Sequence, residues 1–351
     1  MTTPERPETP QGSETHGARE THDAHGPAPT TVPTPAEVAE AGAAVLAEVG
    51  RAVVGMSEAL RTALATVLAG GHVLLEDVPG VGKTLAARSL ATALGLDFRR
   101  LQCTPDLLPS DITGALVYDP ATTAFDFRPG PVFTGLFLAD EINRTPPKTQ
   151  SALLEAMAER QVTVEGTSYP LPTPFHVIAT SNPVEHEGTY PLPEAQLDRF
   201  MVRLAVGYLE ADAETEVLLR RLERRQEAAP VRTVVDPDSL LALQAGVESI
   251  DVDRDVVAYA VDLVAATREH RQVEVGASPR GSQALVLVAR ALAALDGRGY
   301  VSPEDVKQVA VPALAHRLTL TPQAWAGGVS PAAVVEQLLT EVPSPAAAAS
   351  R

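Results

Sequence analysis

LLEDVPGVGKT, residues 74–84, is the stretch whose reading decides the fold. Gly82, Lys83 and Thr84 match the end of the phosphate-loop pattern G-x-x-x-x-G-K-[ST], but Asp77 stands where the pattern places its first glycine. Upstream, HVLLED (72–77) reads as a short apolar strand. Downstream, KTLAARSLATALG (83–95) reads as a helix with an apolar face of Leu85, Leu90, Ala91 and Leu94 and a stop at Gly95. A strand–loop–helix unit of this kind surrounds phosphates with backbone N–H groups and a helix N-terminus. On that reading Pro79, Gly80, Val81, Gly82, Lys83, Thr84 and Leu85 form the nucleotide loop. Lys83 reaches the β- and γ-phosphates, and the Thr84 hydroxyl binds Mg²⁺. The two glycines most needed for close backbone approach, Gly80 and Gly82, are present. Position 77 lies at the strand exit, furthest from the phosphates. A carboxylate beside polyphosphate is repulsive, so Asp77 is expected to turn its side chain away. The competing reading is a fortuitous glycine-rich turn.

Four further elements follow in order. LFLADE delivers Asp140 and Glu141 at the end of an apolar strand, where parallel sheets place ligands. There Asp140 supports Mg²⁺ and Glu141 polarises an attacking water; the alternative is two solvated acids ending a strand. VIATSNP is another apolar strand, ending at Asn182, whose neutral amide is suited to the γ-phosphate or the water, although Asn-Pro is ordinarily a turn. LPEAQLDRF carries Arg199, either in a surface salt bridge with Asp198 or stabilising transition-state charge from a neighbouring subunit. ASPRGSQALVL puts Arg280 at a helix start, an unfavourable place for a cation unless a phosphate lies nearby.

Strands alternating with helices predict an α/β domain with a parallel sheet over 36–208. From there five helical segments predict an all-helical domain over 209–335. Residues 1–35 are rich in Pro, Thr, Glu, His and Gly and lack the apolar surface to offset ordering entropy, so they read as a disordered tail, and 336–351 as a flexible one. His16, His22 and His25 lie in the first tail at loose spacing and are not read as a metal site. Of the 351 residues, 45% are hydrophobic, enough for a sizeable core, and the net charge is −17. That charge argues against a generic grip on nucleic acid, which needs Lys and Arg, without excluding a basic strip inside a pore. Cys103 is the single cysteine, which excludes an intrachain disulfide and a cysteine zinc cluster and reads as structural. No apolar run approaches the ~18 residues of a membrane helix, and no hydrophobic signal core opens the chain. The expected compartment is the cytoplasm.

Taken together these motifs resemble the AAA+ ATPases, and within them the MoxR family. LLEDVPGVGKT is similar to Walker A, LFLADEINR to Walker B, VIATSNP to sensor 1, GTYPLPEAQLDRF to the arginine-finger segment and GASPRGSQALVLVARALA to sensor 2. The resemblance spans roughly 38–325; FRPGPVF, EINRTPPKTQSALLEAMAERQVTV and YPLPEAQLDRF are its MoxR-like portions. It implies a P-loop fold with a helical lid, hydrolysis of ATP with Mg²⁺, and a homo-oligomer, expected to be a hexamer. It assigns Lys83 and Thr84 to phosphates and metal, Asp140 to the metal, Glu141 to water activation, Asn182 to sensor 1, Arg199 to a trans-acting finger and Arg280 to sensor 2. It also implies that the segment TGALVYDPATTAFDFRPGPV is an insert that meets the substrate or a central pore. The implied role is chaperone-like remodelling or maturation of protein complexes beside a von Willebrand factor A-domain partner. A nucleic-acid motor subunit and a non-hydrolysing scaffold are the competing readings. Asp77 is the departure from the general Walker pattern.

Overall fold

The computed structural model describes residues 32–78, 80–182, 189–226 and 229–345. The described residues from Val32 onward belong to one compact unit. Pro79, most of the first tail with its three histidines, and residues 346–351 lie outside the described residues.

The chain enters through α1 (Pro35–Gly50), whose start is fixed by Thr34 and Glu37 in a reciprocal capping box, with Pro35 in the first turn. After α2 (Ser57–Leu68) the strand β1 (Val73–Glu76) leads into α3 (Lys83–Ala93). Then come β2 (Phe98–Gln102), the short α4 (Pro109–Thr113) and an antiparallel hairpin of β3 (Gly114–Asp119) and β4 (Ala124–Pro129). β5 (Leu136–Asp140) and α5 (Pro147–Glu159) follow, then a second hairpin of β6 (Gln161–Val164) and β7 (Thr167–Pro170). β8 (His176–Ser181), α6 (Glu194–Leu197) and β9 (Val202–Leu204) complete the α/β portion.

The main sheet is parallel throughout, in the order β2-β5-β8-β1-β9. Its central strands β1, β5 and β8 are largely apolar and buried because both faces are covered, whereas the edge strand β2 carries Arg99, Arg100 and Gln102. Alternation along them divides the core. Leu75, Leu136, Leu138 and Ile178 face α1–α3 and the helical region in one cluster, while Leu74, Phe137, Ala139 and Val177 join α5 in a second. The strand order brings the carboxyl ends of β5, β8 and β1 side by side, which is where parallel sheets bind ligands.

The helical region contains α7 (Ala211–Arg224), α8 (Pro237–Glu248), α9 (Arg254–Glu269), α10 (Pro279–Leu295), α11 (Pro303–Leu314), α12 (Pro322–Ala326) and α13 (Pro331–Glu341). It is not wholly helical: β10 (Val273–Val275) and β11 (Thr319–Leu320) form a small antiparallel pair. The boundary expected at 335 is corrected, because α13 continues to Glu341. Ser330 caps it, and Val334, Val335 and Leu338 bury one face against the core. Leu85 is also corrected. It is 41% exposed, because the buried face of α3 runs through Ala86, Ala87, Leu90 and Ala91, onto which Leu85 does not project.

Candidate active site

The loop after β1 owes its shape to two glycines in left-handed backbone: Gly80 with φ 85° and Gly82 with φ 91°. A Cβ at either would meet no atom within 4 Å, so conformation and not space demands glycine there. Gly82 caps α3, and Lys83 and Thr84 occupy its first turn. Val81, Lys83 and Thr84 are half-buried, Gly80 is exposed, and Leu85 projects outward beside them. The Lys83 ammonium donates to Asp77 O at 2.6 Å and to Ser181 O at 3.5 Å. Burial lowers its pKa, opposed by the nearby carboxylates of Asp77, Asp140, Glu141 and Glu76.

Asp77 is buried, and its carboxylate points at backbone N–H groups. Oδ1 accepts from Val78 N at 2.8 Å, and Oδ2 from Val206 N at 2.5 Å and Gly207 N at 2.8 Å.

At the end of β5, the Thr84 hydroxyl donates to Asp140 Oδ2 at 3.2 Å. A single hydroxyl, Thr180 Oγ1 on β8, donates to Asp140 Oδ1 at 2.6 Å and accepts from Glu141 N at 2.8 Å, so it fixes both acids. Glu141 itself sits at φ 60°, ψ 51°, left-handed backbone that a non-glycine residue adopts at a cost of order 1–3 kcal/mol. Its carboxylate accepts from Gln102 Nε2 at 2.9 Å and pairs with Arg144 Nε at 2.9 Å. Arg100 holds the other acid, with Nε 2.8 Å and Nη2 2.7 Å from Asp140 Oδ2.

Arg100, Gln102, Thr180 and Arg144 are site residues that the sequence motifs do not assign. The available signal is the alternation of Arg100 and Gln102 on β2, but their meaning comes from the register that pairs Gln102 with Asp140. Cys103 is buried beside these acids, and its N–H donates to Asp140 O at 2.8 Å. Burial pushes its thiol up to about 12, so it is an inert structural group.

Asn182 is buried at the end of β8, and its carbonyl accepts from Asn143 Nδ2 at 3.3 Å. Lys83, Thr84, Asp140, Glu141 and Asn182 therefore converge at the carboxyl ends of three adjacent strands. Thr84 and Asp140 offer hard oxygen donors, and no larger acidic or histidine cluster exists among the described residues. That set fits Mg²⁺, which is typically held by one or two carboxylates with substrate phosphates and water.

The two arginines form a separate group. Arg199 is half-buried and donates to Leu154 O on α5 at 2.7 Å. It is not paired with Asp198, as the surface-bridge reading required. Asp198 Oδ1 instead takes the Arg317 guanidinium at 2.7 Å, and Oδ2 takes the Ser278 hydroxyl at 2.8 Å. Ser278 caps α10, and the Arg280 N–H donates to the same hydroxyl at 3.1 Å, with the Arg280 side chain exposed. Arg317 is nearly buried and also donates to the carbonyls of Phe200 at 2.8 Å and Met201 at 3.2 Å. The Arg199 segment and the start of α10 are thus bolted together through Asp198.

Outside the sheet, the two hairpins are joined by Phe127 stacked on Tyr169 at 3.9 Å and 17°. Tyr118 and Phe125 pair near the tip of the first hairpin and are exposed. No helix among the described residues is long and apolar enough to cross a membrane.

A family model described as the ATPase family associated with various cellular activities matches residues 72–202, and one described as the AAA lid domain matches 265–338. The chain is 45% identical over 307 residues to Chaperone MoxR1 of Mycobacterium tuberculosis, covering 85% of this chain and 81% of that protein. It is 35% identical over 298 residues to Protein MoxR of Paracoccus denitrificans, covering 77% and 86% respectively. A crystal structure of a Cytophaga hutchinsonii protein superposes with TM-score 0.82 at 42% identity, covering 89% of this chain and 97% of that one.

Proposed function

The chain belongs to the MoxR family of AAA+ ATPases, and on that premise we propose that its ATP site is shared between two copies and drives remodelling of a protein client. It is an ATPase of a chaperone-like family, with a P-loop core and a helical lid. The proposal concerns which residues do what, and for whom.

The observation that carries it is the pair of acids ending β5, with Thr84 bonded to Asp140 and Glu141 free of that pair but held by Gln102 and Arg144. In this reading the backbone at Gly80–Thr84 and the Lys83 ammonium bind the phosphates. Thr84 and Asp140 hold Mg²⁺, which when bound neutralises charge on the phosphates. Glu141 orients and deprotonates the attacking water, and Asn182 donates to the γ-phosphate or that water. Arg199 has no place in this cluster and serves the nucleotide of a neighbouring copy, stabilising the charge of the transferring phosphoryl group. Arg280, tied to the same segment through Ser278 and Asp198, is the sensor 2 arginine of this reading. A head-to-tail contact repeated around an axis closes into a ring, here a hexamer.

The client is protein, reached through the exposed Tyr118 and Phe125 of the first hairpin, and a von Willebrand factor A-domain protein is the expected partner. The deciding experiment uses Glu141→Gln, which keeps the carbonyl and its contact with Gln102 but removes the base. ATP binding should persist while phosphate release falls by about 10²–10⁴-fold, and the stalled protein should retain its client in a pull-down. Normal hydrolysis would remove Glu141 from its role. Stimulation by DNA in place of an A-domain protein would replace the client with nucleic acid.

A further inference from the structure

Asp77 stands where the general phosphate-loop pattern has glycine, and it is the residue that touches both the phosphate-binding lysine and the connection to the lid. Its carbonyl accepts from Lys83 Nζ at 2.6 Å. Its carboxylate accepts from the N–H groups of Val206 and Gly207, which begin the segment between β9 and α7. A glycine at 77 would keep the first contact and lose the second. Gly207 turns at φ 74°, and two residues on Leu209 lies against Gly55, between α1 and α2. Gly55 is itself at φ 76°, and a Cβ there would collide with Leu209 Cδ2. The carboxylate thus fastens the lid connection to the phosphate loop, and Leu209 carries that anchorage on to the α1–α2 link.

We infer that Asp77 is a positioning residue that couples phosphate occupancy of the loop to the lid connection at 206–209. The inference rests on the reading of 77–84 as the nucleotide loop. A phosphate offers Lys83 a charged acceptor, stronger than the carbonyl of Asp77. When Lys83 turns to it, the backbone of Asp77 is released while its carboxylate still grips Val206 and Gly207. A shift of the loop is thereby passed to the segment that leads into α7. Two N–H bonds to a carboxylate hold that segment firmly, since each is a charge-assisted contact.

The test compares unaltered protein with Asp77→Ala and Asp77→Asn. Asn keeps a carbonyl acceptor for one N–H, whereas Ala keeps none. Amide exchange at 206–209 is followed with and without ADP, and steady-state ATPase gives KM and kcat. In unaltered protein ADP should alter exchange at 206–209. In Asp77→Ala those amides should exchange at least about tenfold faster, and ADP should no longer alter them. Its kcat should fall about tenfold with KM changed less than about threefold, because the loop backbone still binds phosphates. Asp77→Asn should lie between. Exchange at Ile178 and Ala179 in β8 reports whether the fold is intact; if Asp77→Ala loosens them, the decision passes to Asp77→Asn. Unchanged exchange at 206–209, or a loss seen in KM alone, would overturn the inference. Lys83→Ala run in parallel separates the two levels: nucleotide binding that survives it refutes the loop reading itself, whereas its loss beside a normal Asp77→Ala refutes only the coupling.

Discussion

The cluster at the strand ends and the pair of arginines differ in what completes them. Lys83, Thr84, Asp140 and Glu141 are held by partners from four neighbouring strands and loops, so one chain positions every group in the cluster. The Arg199 guanidinium is held by Leu154 O, while at Arg280 only the backbone is held, by the Ser278 hydroxyl. Asp198 joins their two segments through Ser278, and neither arginine is anchored to the acids. The acids at the strand ends are already paired with Arg100 and Arg144, whereas Arg199 and Arg280 make no contact with them. Arg317 can be nearly buried because Asp198 and the carbonyls of Phe200 and Met201 satisfy its guanidinium.

The comparison breaks most visibly at Arg199. Arg199→Ala should lower kcat by about a thousandfold or more while leaving nucleotide affinity nearly unchanged, read by phosphate release alongside a binding titration. A matching loss of affinity would place Arg199 in its own chain's site. Next in size is Arg317→Ala, which leaves Asp198 without its main partner. Breaking a buried pair this way costs ~3–5 kcal/mol, measured by urea unfolding. If stability is unaffected, Asp198 and Arg317 do not fix the arginine segment.

The smallest effect lies at the amino end of the sheet, on the arginine side, where the His72 carbonyl accepts from Met201 N at 2.9 Å. His72 Nδ1 accepts from Val177 N at 3.0 Å, and His176 faces Gly71 O and Gln244, so the neutral rings are fully occupied. Burial is the main cause that pulls His72 down to about 3 and His176 to about 4. The unfolded chain binds protons near pH 6.5 that the folded one refuses. Stability contributed by these rings is therefore complete above 6.5 and declines as pH falls toward 4, at about 1 kcal/mol per pH unit for each. Urea midpoints between pH 7.5 and 5 should fall accordingly, and a flat profile would show that the rings accept protons in the folded state.

Much of this architecture is legible in the sequence, because buried parallel strands are apolar runs and tight phosphate turns need glycines at Gly80 and Gly82. What is not legible depends on distant register. Gln102 gains meaning only beside Asp140, and Asp77 only beside Val206 and Gly207. The hairpin β6–β7 was missed because its residues are polar and short, and Asp198 was misleading because its sequence neighbour Arg199 is not its spatial partner. The end of α13 reads as tail because the alanine-rich sequence beyond it offers no apolar face of its own.

The proposed sharing of the site between two copies is tested most directly by mixing. Lys83→Ala lacks the phosphate lysine and Arg199→Ala lacks the arginine, and each should be nearly inactive alone. Co-expressed, they should recover measurable ATPase activity, since some interfaces then join an intact Lys83 to an intact Arg199 from the other copy. No recovery in co-assembled protein would contradict a site shared between neighbours.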